Sequence, residues 1–144
     1  KRIPGVTKEF ISIMYEDTFF IHLQNLVKDS ITQMENYNIN SVLDNIIHIT
    51  DQSNIYIDQE APWRLKDSDP KRMNEVLYKL LETLRYIAIL LQPFIPISAN
   101  KMLQQLAVSI DKRSIFHLTQ DFVIIPLKKI PEPSAIFPRL EMEY

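Results

Sequence analysis

Hydrophobic residues recur every three or four positions along much of the chain before residue 107, which is the pattern of helices that each bury one face. A first helix is predicted over about residues 17–37, with Asp17 as its N-cap. A second is predicted over about residues 40–61, because Pro62 disfavours helical backbone at the residue before it. The pattern therefore predicts two long amphipathic helices in the first half of the chain.

The third apolar stretch is the most regular one. Asp69 is its predicted cap, and Pro70 occupies the first helical position, where a missing N–H does no harm. Pro93 ends the helix. Leu80 and Leu84 lie in the middle of the apolar stripe, so we expect both side chains at the centre of a helix bundle.

A short fourth helix is predicted at about residues 98–107, and the two ends of the chain differ from this helical part. Residues 1–15 are predicted to be a lead-in, and all helices are expected within 16–107. The tail, 108–144, contains several prolines and cannot form long helices. We expect it to lie over the bundle as an irregular strap, with a brief extended segment at 123–125. Its expected anchors are Phe116, Phe122, Ile136 and Phe137. The whole chain of 144 residues is thus predicted to be one all-α helix-bundle domain with a Pro-rich tail.

Composition excludes several kinds of site. The chain has one glycine, Gly5, whereas phosphate-binding loops and dinucleotide fingerprints need several. It has no cysteine, which excludes disulfides and cysteine-ligated zinc and fits a reducing compartment. The longest apolar run is too short to span a bilayer. We therefore expect a cytoplasmic protein with no membrane partner, which is cut from a longer chain because it does not begin with Met.

Charge is distributed unevenly, although the net charge is only −2. Residues 16–60 contain eight acids and a single base, Lys28, whereas the remainder is rich in bases. Such asymmetry marks either two faces with different partners or ordinary solvated helix faces. Charge alone leaves both interpretations open.

No catalytic group of residues is evident. The histidines are His22, His48 and His117, and no two of them lie at the spacing of metal ligands, so we predict no metal site. His48 is interpreted as a surface histidine among acids. Asp67 and Asp69 lie at a predicted helix start, where negative charge is favoured without any catalytic role.

Trp63 is the only tryptophan, and it follows Pro62 directly at the predicted end of the second helix. A ring presented there suits stacking on a flat partner. A lone tryptophan in such a place is, however, more often a partly buried core anchor. Arg64, Lys66 and Arg72 lie close by and can contact phosphates, although a solvated helix start also explains these charges.

Several short motifs follow one another in a specific order. They are Asn54-x-Tyr56, Ala61-Pro62-Trp63, Leu90-Leu91-x-Pro93-Phe94-Ile95-Pro96, Ala99-x-Lys101-Met102 and Ile136-Phe137-Pro138-Arg139-Leu140-Glu141. Together they resemble the anticodon-binding helical domain of methionyl-tRNA synthetase, a class I aminoacyl-tRNA synthetase, of bacterial or organellar type. The resemblance covers most of the chain.

The resemblance implies recognition of the CAU anticodon loop of tRNA(Met), with Trp63 stacked on an anticodon base and Pro62 positioning it. The parent enzyme attaches methionine to this tRNA with ATP and Mg²⁺, and zinc is an optional component of its catalytic domain. The catalytic signatures HIGH and KMSKS are absent here. We therefore expect a binding piece without its own catalysis or cofactor, whose partners are the tRNA and the catalytic domain of the same polypeptide.

Two departures from the family pattern limit the carry-over of residue roles. Residues 1–4 resemble the Lys-x-Pro segment that follows the family's first helix, so we expect that helix to be missing. The asparagine and arginine that read the wobble cytosine lie on it and cannot be assigned. The family's lysine after the Pro-Trp pair is matched only loosely by Lys66.

Two alternative interpretations remain. The chain would also suit the equivalent domain of a leucine, isoleucine or valine synthetase, which shares the helix-bundle fold. It would suit a helical protein-interaction domain in which Trp63 is buried and the acidic face is the docking surface. The exposure of Trp63 separates this last class from an RNA-binding domain.

Overall fold

The computed structural model describes residues 2–119 and 127–139, and every regular element within these ranges is helical. The α-helices are α1 (Lys8–Met14), α2 (Thr18–Glu35), α3 (Ile39–Glu60), α4 (Pro62–Ser68), α5 (Pro70–Leu91) and α6 (Pro96–Gln105). Two short 3-10 turns follow, at Ile110–Lys112 and Ile115–Leu118. The prediction of an all-α fold is confirmed. The extended segment predicted at 123–125 lies outside the described residues.

The helix starts follow from local capping. Asp17 and Asp69 each accept a hydrogen bond from a backbone amide of the first turn, at 2.9 and 3.0 Å, which satisfies donors that the helix leaves free. Asn38 occupies the N-cap position of α3 without a side-chain capping hydrogen bond, and the helix begins at Ile39, close to the predicted start at about residue 40. Helix α6 begins before the predicted position because Pro96 takes its first position.

The first fifteen residues are more ordered than the predicted lead-in. They contain α1, whose N-cap Thr7 accepts a hydrogen bond from a backbone amide at 3.1 Å. Ile3 and Met14 are buried, and the Ile3 amide donates to the Lys128 carbonyl at 2.9 Å. One seven-residue helix is too short to show a hydrophobic period, so the sequence pattern did not reveal it.

Helix α5 is the centre of the bundle. It packs against α3, α4 and α6 and touches the second 3-10 turn, while α2 packs on α3. The core side chains come from these helices and include Phe20, Leu23, Val27, Val42, Ile46, Ile49, Tyr78, Tyr86, Leu90 and Leu103. No helix in the described part of the chain is long and apolar enough to cross a membrane.

The buried face of α5 does not centre on Leu80 and Leu84, so their expected central position is wrong. Leu84 is 41% exposed and Leu80 is half-buried. The fully buried side chains instead include Glu82 and Arg85, which form an ion pair with Nη2–Oε2 at 2.9 Å. Polar groups can be buried in a core when they are paired. The spacing of hydrophobic residues cannot predict such a pair, because it assigns charged residues to the solvent side of the helix.

The tail is attached by different residues from those expected. Phe116 and Phe137 are exposed, Ile136 is half-buried, and Phe122 lies outside the described residues. Leu118 is the buried anchor instead, and it belongs to the main core. A short 3-10 turn places this leucine against the bundle, whereas the Phe116 ring two residues before it is exposed.

Candidate functional site

Trp63 lies in the first turn of α4, and its side chain is 60% exposed. An indole that is mostly open to solvent is not a core anchor, which removes the structural argument for the interaction-domain alternative. The ring is available for stacking from the solvent side. Its role in stacking remains a prediction.

The backbone in front of Trp63 makes a sharp turn. Helix α3 ends at Glu60, and Ala61 adopts the left-handed conformation with φ 42° and ψ 60°. This conformation costs a residue other than glycine roughly 1–2 kcal/mol. Ala61 is nevertheless buried, as is Pro62, which begins α4. The predicted end of the second helix is confirmed, but the new helix α4 was not predicted, because Pro62 was interpreted only as a stop.

An ion pair closes the loop around α4. Arg72 donates to the Glu60 carboxylate from Nε to Oε2 at 3.1 Å and from Nη2 to Oε1 at 2.7 Å. Glu60 is the last residue of α3 and Arg72 lies in the first turn of α5. The hydrogen bonds that Arg72 donates to Glu60 raise the pKa of the Arg72 guanidinium. The segment that carries Trp63 is therefore fixed at both ends.

The three basic residues predicted to contact phosphate differ in their surroundings. Arg64 and Lys66 are exposed, and neither takes part in an ion pair within residues 2–119 and 127–139. Arg72 is paired with Glu60 and lies 3.7 Å from the Glu75 carboxylate. Arg64 and Lys66 are thus open to an external anion, whereas Arg72 already has carboxylate partners. All three phosphate contacts stay predictions.

Tyr56, from the Asn-x-Tyr motif, lies near the end of α3 and packs within the helix bundle. Its ring stacks on Phe19 with a centroid distance of 5.1 Å, and the Lys79 Nζ lies 5.0 Å from the Tyr56 centroid. Lys79 is buried and pairs with Asp17 at 3.1 Å. Burial raises the pKa of the Tyr56 hydroxyl. This cluster joins α2, α3 and α5, which is a structural role for the motif.

Two histidines that sequence spacing left apart meet on the surface. The Nε2 atoms of His22 on α2 and His48 on α3 are 3.3 Å apart, and both side chains are exposed. His48 is exposed, as expected for a surface histidine, but its contact with His22 was not predicted, because spacing along one helix says nothing about a partner on another. Among the described residues, no cluster of three or more His, Cys, Asp or Glu is suited to a metal.

The helix bundle with its exposed Trp63 belongs to a known class of tRNA-binding domain. Residues 17–140 match the family model described as the anticodon-binding domain of tRNA ligase, and the chain belongs to this family. The curated relatives point to one amino acid within it. The chain is 48% identical over 140 residues to methionine–tRNA ligase of Rickettsia bellii (strain RML369-C), which is 97% of this chain and 28% of that protein.

Other relatives agree. The match to methionine–tRNA ligase of Mesorhizobium japonicum is 41% identical over 106 residues, which cover 74% of this chain and 20% of that protein. The free form of Mycobacterium tuberculosis methionyl-tRNA synthetase has the same fold, with a TM-score of 0.83 and 23% identity over 99% of this chain and 28% of that one. The resemblance to methionyl-tRNA synthetases is confirmed. The chain spans little more than a quarter of the length of its Rickettsia relatives.

Proposed function

We propose that this chain recognises the CAU anticodon loop of tRNA(Met) on behalf of a methionine–tRNA ligase. The observation that carries the proposal is the exposed Trp63 ring, held on a fixed turn between α3 and α5. Proteins read single-stranded loop bases by splaying them out and stacking them on aromatic rings. The geometry of Trp63 suits that mode of binding.

The basic residues of α4 would supply the second part of the interaction. Arg64 and Lys66 are exposed on the same short helix as the ring, where they can hold loop phosphates while a base stacks on the indole. Stacking contributes about 1–3 kcal/mol per base and does not select among bases. Choice of cytosine therefore requires polar groups directed at base edges, and Trp63 supplies affinity and orientation rather than the complete code.

The acidic part of the chain would face away from the RNA. Residues 16–60 contain eight acids and one base, so the surfaces of α2 and α3 repel phosphate. The exposed bases of α4 lie after this segment. The RNA would thus approach from the α4 side of the bundle.

The remaining steps would belong to other parts of a longer enzyme. Methionine activation with ATP and Mg²⁺, and any zinc that the parent holds, are assigned in this proposal to a separate catalytic domain in the cytoplasm. The role of this chain is to hold the anticodon end of the tRNA while the acceptor end reacts elsewhere.

The test measures tRNA(Met) binding and the melting curve on the same variants. Trp63→Ala should weaken binding roughly five- to 150-fold, which is the loss of about 1–3 kcal/mol of stacking, with little change in stability. Trp63→Phe should keep part of the affinity. Phe116→Ala is the matched control, because Phe116 is similarly exposed at 69% and lies outside α4.

Two outcomes would contradict the proposal. The first is a folded Trp63→Ala variant with parental tRNA affinity, which would exclude stacking. The second is equal binding to tRNA(Met) and to a tRNA with a changed anticodon by the chain extended through the upstream helix that is expected to read the wobble cytosine, which would exclude anticodon recognition by this domain.

A further inference from the structure

The ring nitrogens of His22 and His48 lie as far apart as two ligands bound to the same metal ion. Their Nε2 atoms are 3.3 Å apart and their ring centroids 5.2 Å apart, with planes at 56°. Zn²⁺ binds imidazole nitrogen at about 2.0–2.1 Å in a tetrahedral arrangement, so two ligand nitrogens on one ion are separated by about 3.3–3.4 Å. The two nitrogens already have this separation without movement of either helix.

The two ligands are carried by rigid elements. His22 lies in the second turn of α2, and His48 lies in the middle of α3. These helices pack directly on each other, so the distance between the rings is fixed by the core behind them. Both side chains are exposed, which leaves room for water molecules to complete the coordination of an ion.

The charge around the pair favours a cation. Both histidines lie within residues 16–60, where acids outnumber the single base Lys28. Asp17 and Glu60 of this segment are paired with bases from α5, and the other acids stand on the same two helices or their ends. A divalent ion is attracted to such a surface, while phosphate is repelled from it.

We propose that His22 and His48 form a two-histidine site for a first-row transition metal ion such as Zn²⁺, Ni²⁺ or Cu²⁺, which links α2 to α3. Each imidazole would present Nε2 to the ion and keep its proton on Nδ1. Imidazole suits these ions better than Mg²⁺ or Ca²⁺, which prefer oxygen ligands. Without a metal, one Nε2–H donates to the other Nε2, and the same pair is an ordinary hydrogen bond.

The experiment is a melting curve of the full chain with increasing Zn²⁺ and then with EDTA. Zn²⁺ should raise the melting temperature in a saturable way, because it binds the folded state across two helices, and EDTA should reverse the effect. His22→Ala or His48→Ala should each weaken the apparent Zn²⁺ affinity at least about tenfold. Ni²⁺ should act similarly, whereas Mg²⁺ at the same concentration should not.

Controls separate the histidine pair from its acidic surroundings. Asp51→Asn removes an exposed acid one turn from His48 on α3 and should change the Zn²⁺ affinity less than threefold, roughly the effect of one screened surface charge. If an alanine variant fails to fold, His22→Gln or His48→Gln serves in its place. An absent Zn²⁺ effect in the parent chain, or an effect that persists in the histidine variants, would overturn the proposal.

Discussion

Arg72 and Glu60 form a two-point ion pair across the helix that carries Trp63. Glu60 is the last residue of α3, and Arg72 lies in the first turn of α5. All of α4 lies between them in the sequence, so the ion pair joins the two ends of this segment. Planar guanidinium and carboxylate groups match in two hydrogen bonds, which gives such a pair directional strength that a single contact lacks. This ion pair, called the clamp below, therefore holds together the two ends of the segment that presents the exposed Trp63 ring.

The clamp predicts a specific result when Glu60 is neutralised. Glu60→Gln should cost about 0.5–1 kcal/mol of stability, as expected for a partly exposed ion pair. It should also weaken tRNA binding about two- to fivefold because α4 is held less firmly, which corresponds to about 0.4–1 kcal/mol. This direction is opposite to the effect of charge alone, since removal of an acid near RNA favours phosphate. Measurements of the tRNA dissociation constant and the melt decide the matter, with Asp58→Asn as the control for charge.

Arg72→Gln separates two roles of the arginine. If Arg72 acts through the clamp, as its pairing with Glu60 indicates, its variant should match Glu60→Gln in affinity, and the salt dependence of binding should not change. A direct phosphate contact would instead lower the salt slope by about 1 in the Arg72 variant alone. Titrations at several salt concentrations distinguish these results.

The buried pair Glu82–Arg85 should be the most sensitive polar contact in the bundle. Both side chains are 0% exposed, and Arg85 also donates from Nη1 to the His117 carbonyl at 3.3 Å. Glu82→Gln should cost about 3–5 kcal/mol, because it leaves a buried cation without its carboxylate. The double variant Glu82→Leu with Arg85→Met should cost less than Glu82→Gln in urea denaturation. A loss below 1 kcal/mol for Glu82→Gln would contradict this account, and the exposed Glu35→Gln is the control.

The different burial of Phe20 and Leu84 predicts a large difference in stability. Phe20 is fully buried and packs edge-on against Tyr15 and Tyr86. Phe20→Ala should therefore cost about 3–5 kcal/mol in chemical denaturation. Leu84→Ala should cost less than about 1.5 kcal/mol because the side chain is already partly in water. Equal losses would show that the leucine face of α5 is covered in solution.

Hydrophobic spacing and capping residues were sufficient to predict the long helices. Asp17, Asp69 and Pro70 act where local rules place them, since a cap depends only on residues within one turn. The order of the short motifs was sufficient to predict the family. Local rules also predicted that α3 ends before Pro62.

The features that escaped prediction depend on contacts distant in sequence. The polar face of α5 is buried because Glu82 pairs with Arg85 inside the bundle, and a helical pattern assigns such residues to solvent. His22 and His48 come together only because α2 packs on α3. The stacking interpretation required an exposed Trp63, but the left-handed turn at Ala61 that precedes it was not predicted, since this conformation is uncommon for a residue with a side chain.

That turn provides the last prediction, in which the same substitution has opposite effects at two alanines. Ala61 has a positive φ of 42°, which glycine adopts without steric cost. Ala61→Gly should therefore leave stability unchanged or raise it by up to about 1 kcal/mol, the relief of strain being partly offset by the greater entropy of the unfolded chain. Ala88 is buried in the middle of α5, where glycine should cost about 1 kcal/mol or more.

Urea denaturation of both variants measures these differences. Ala61→Val extends the test, because a β-branched residue is poorly tolerated at positive φ and should cost roughly 1–3 kcal/mol. A loss for Ala61→Gly as large as that for Ala88→Gly would mean that Ala61 is not left-handed in solution. The fixed exit of the chain into α4, on which the presentation of Trp63 depends, would then need a different origin.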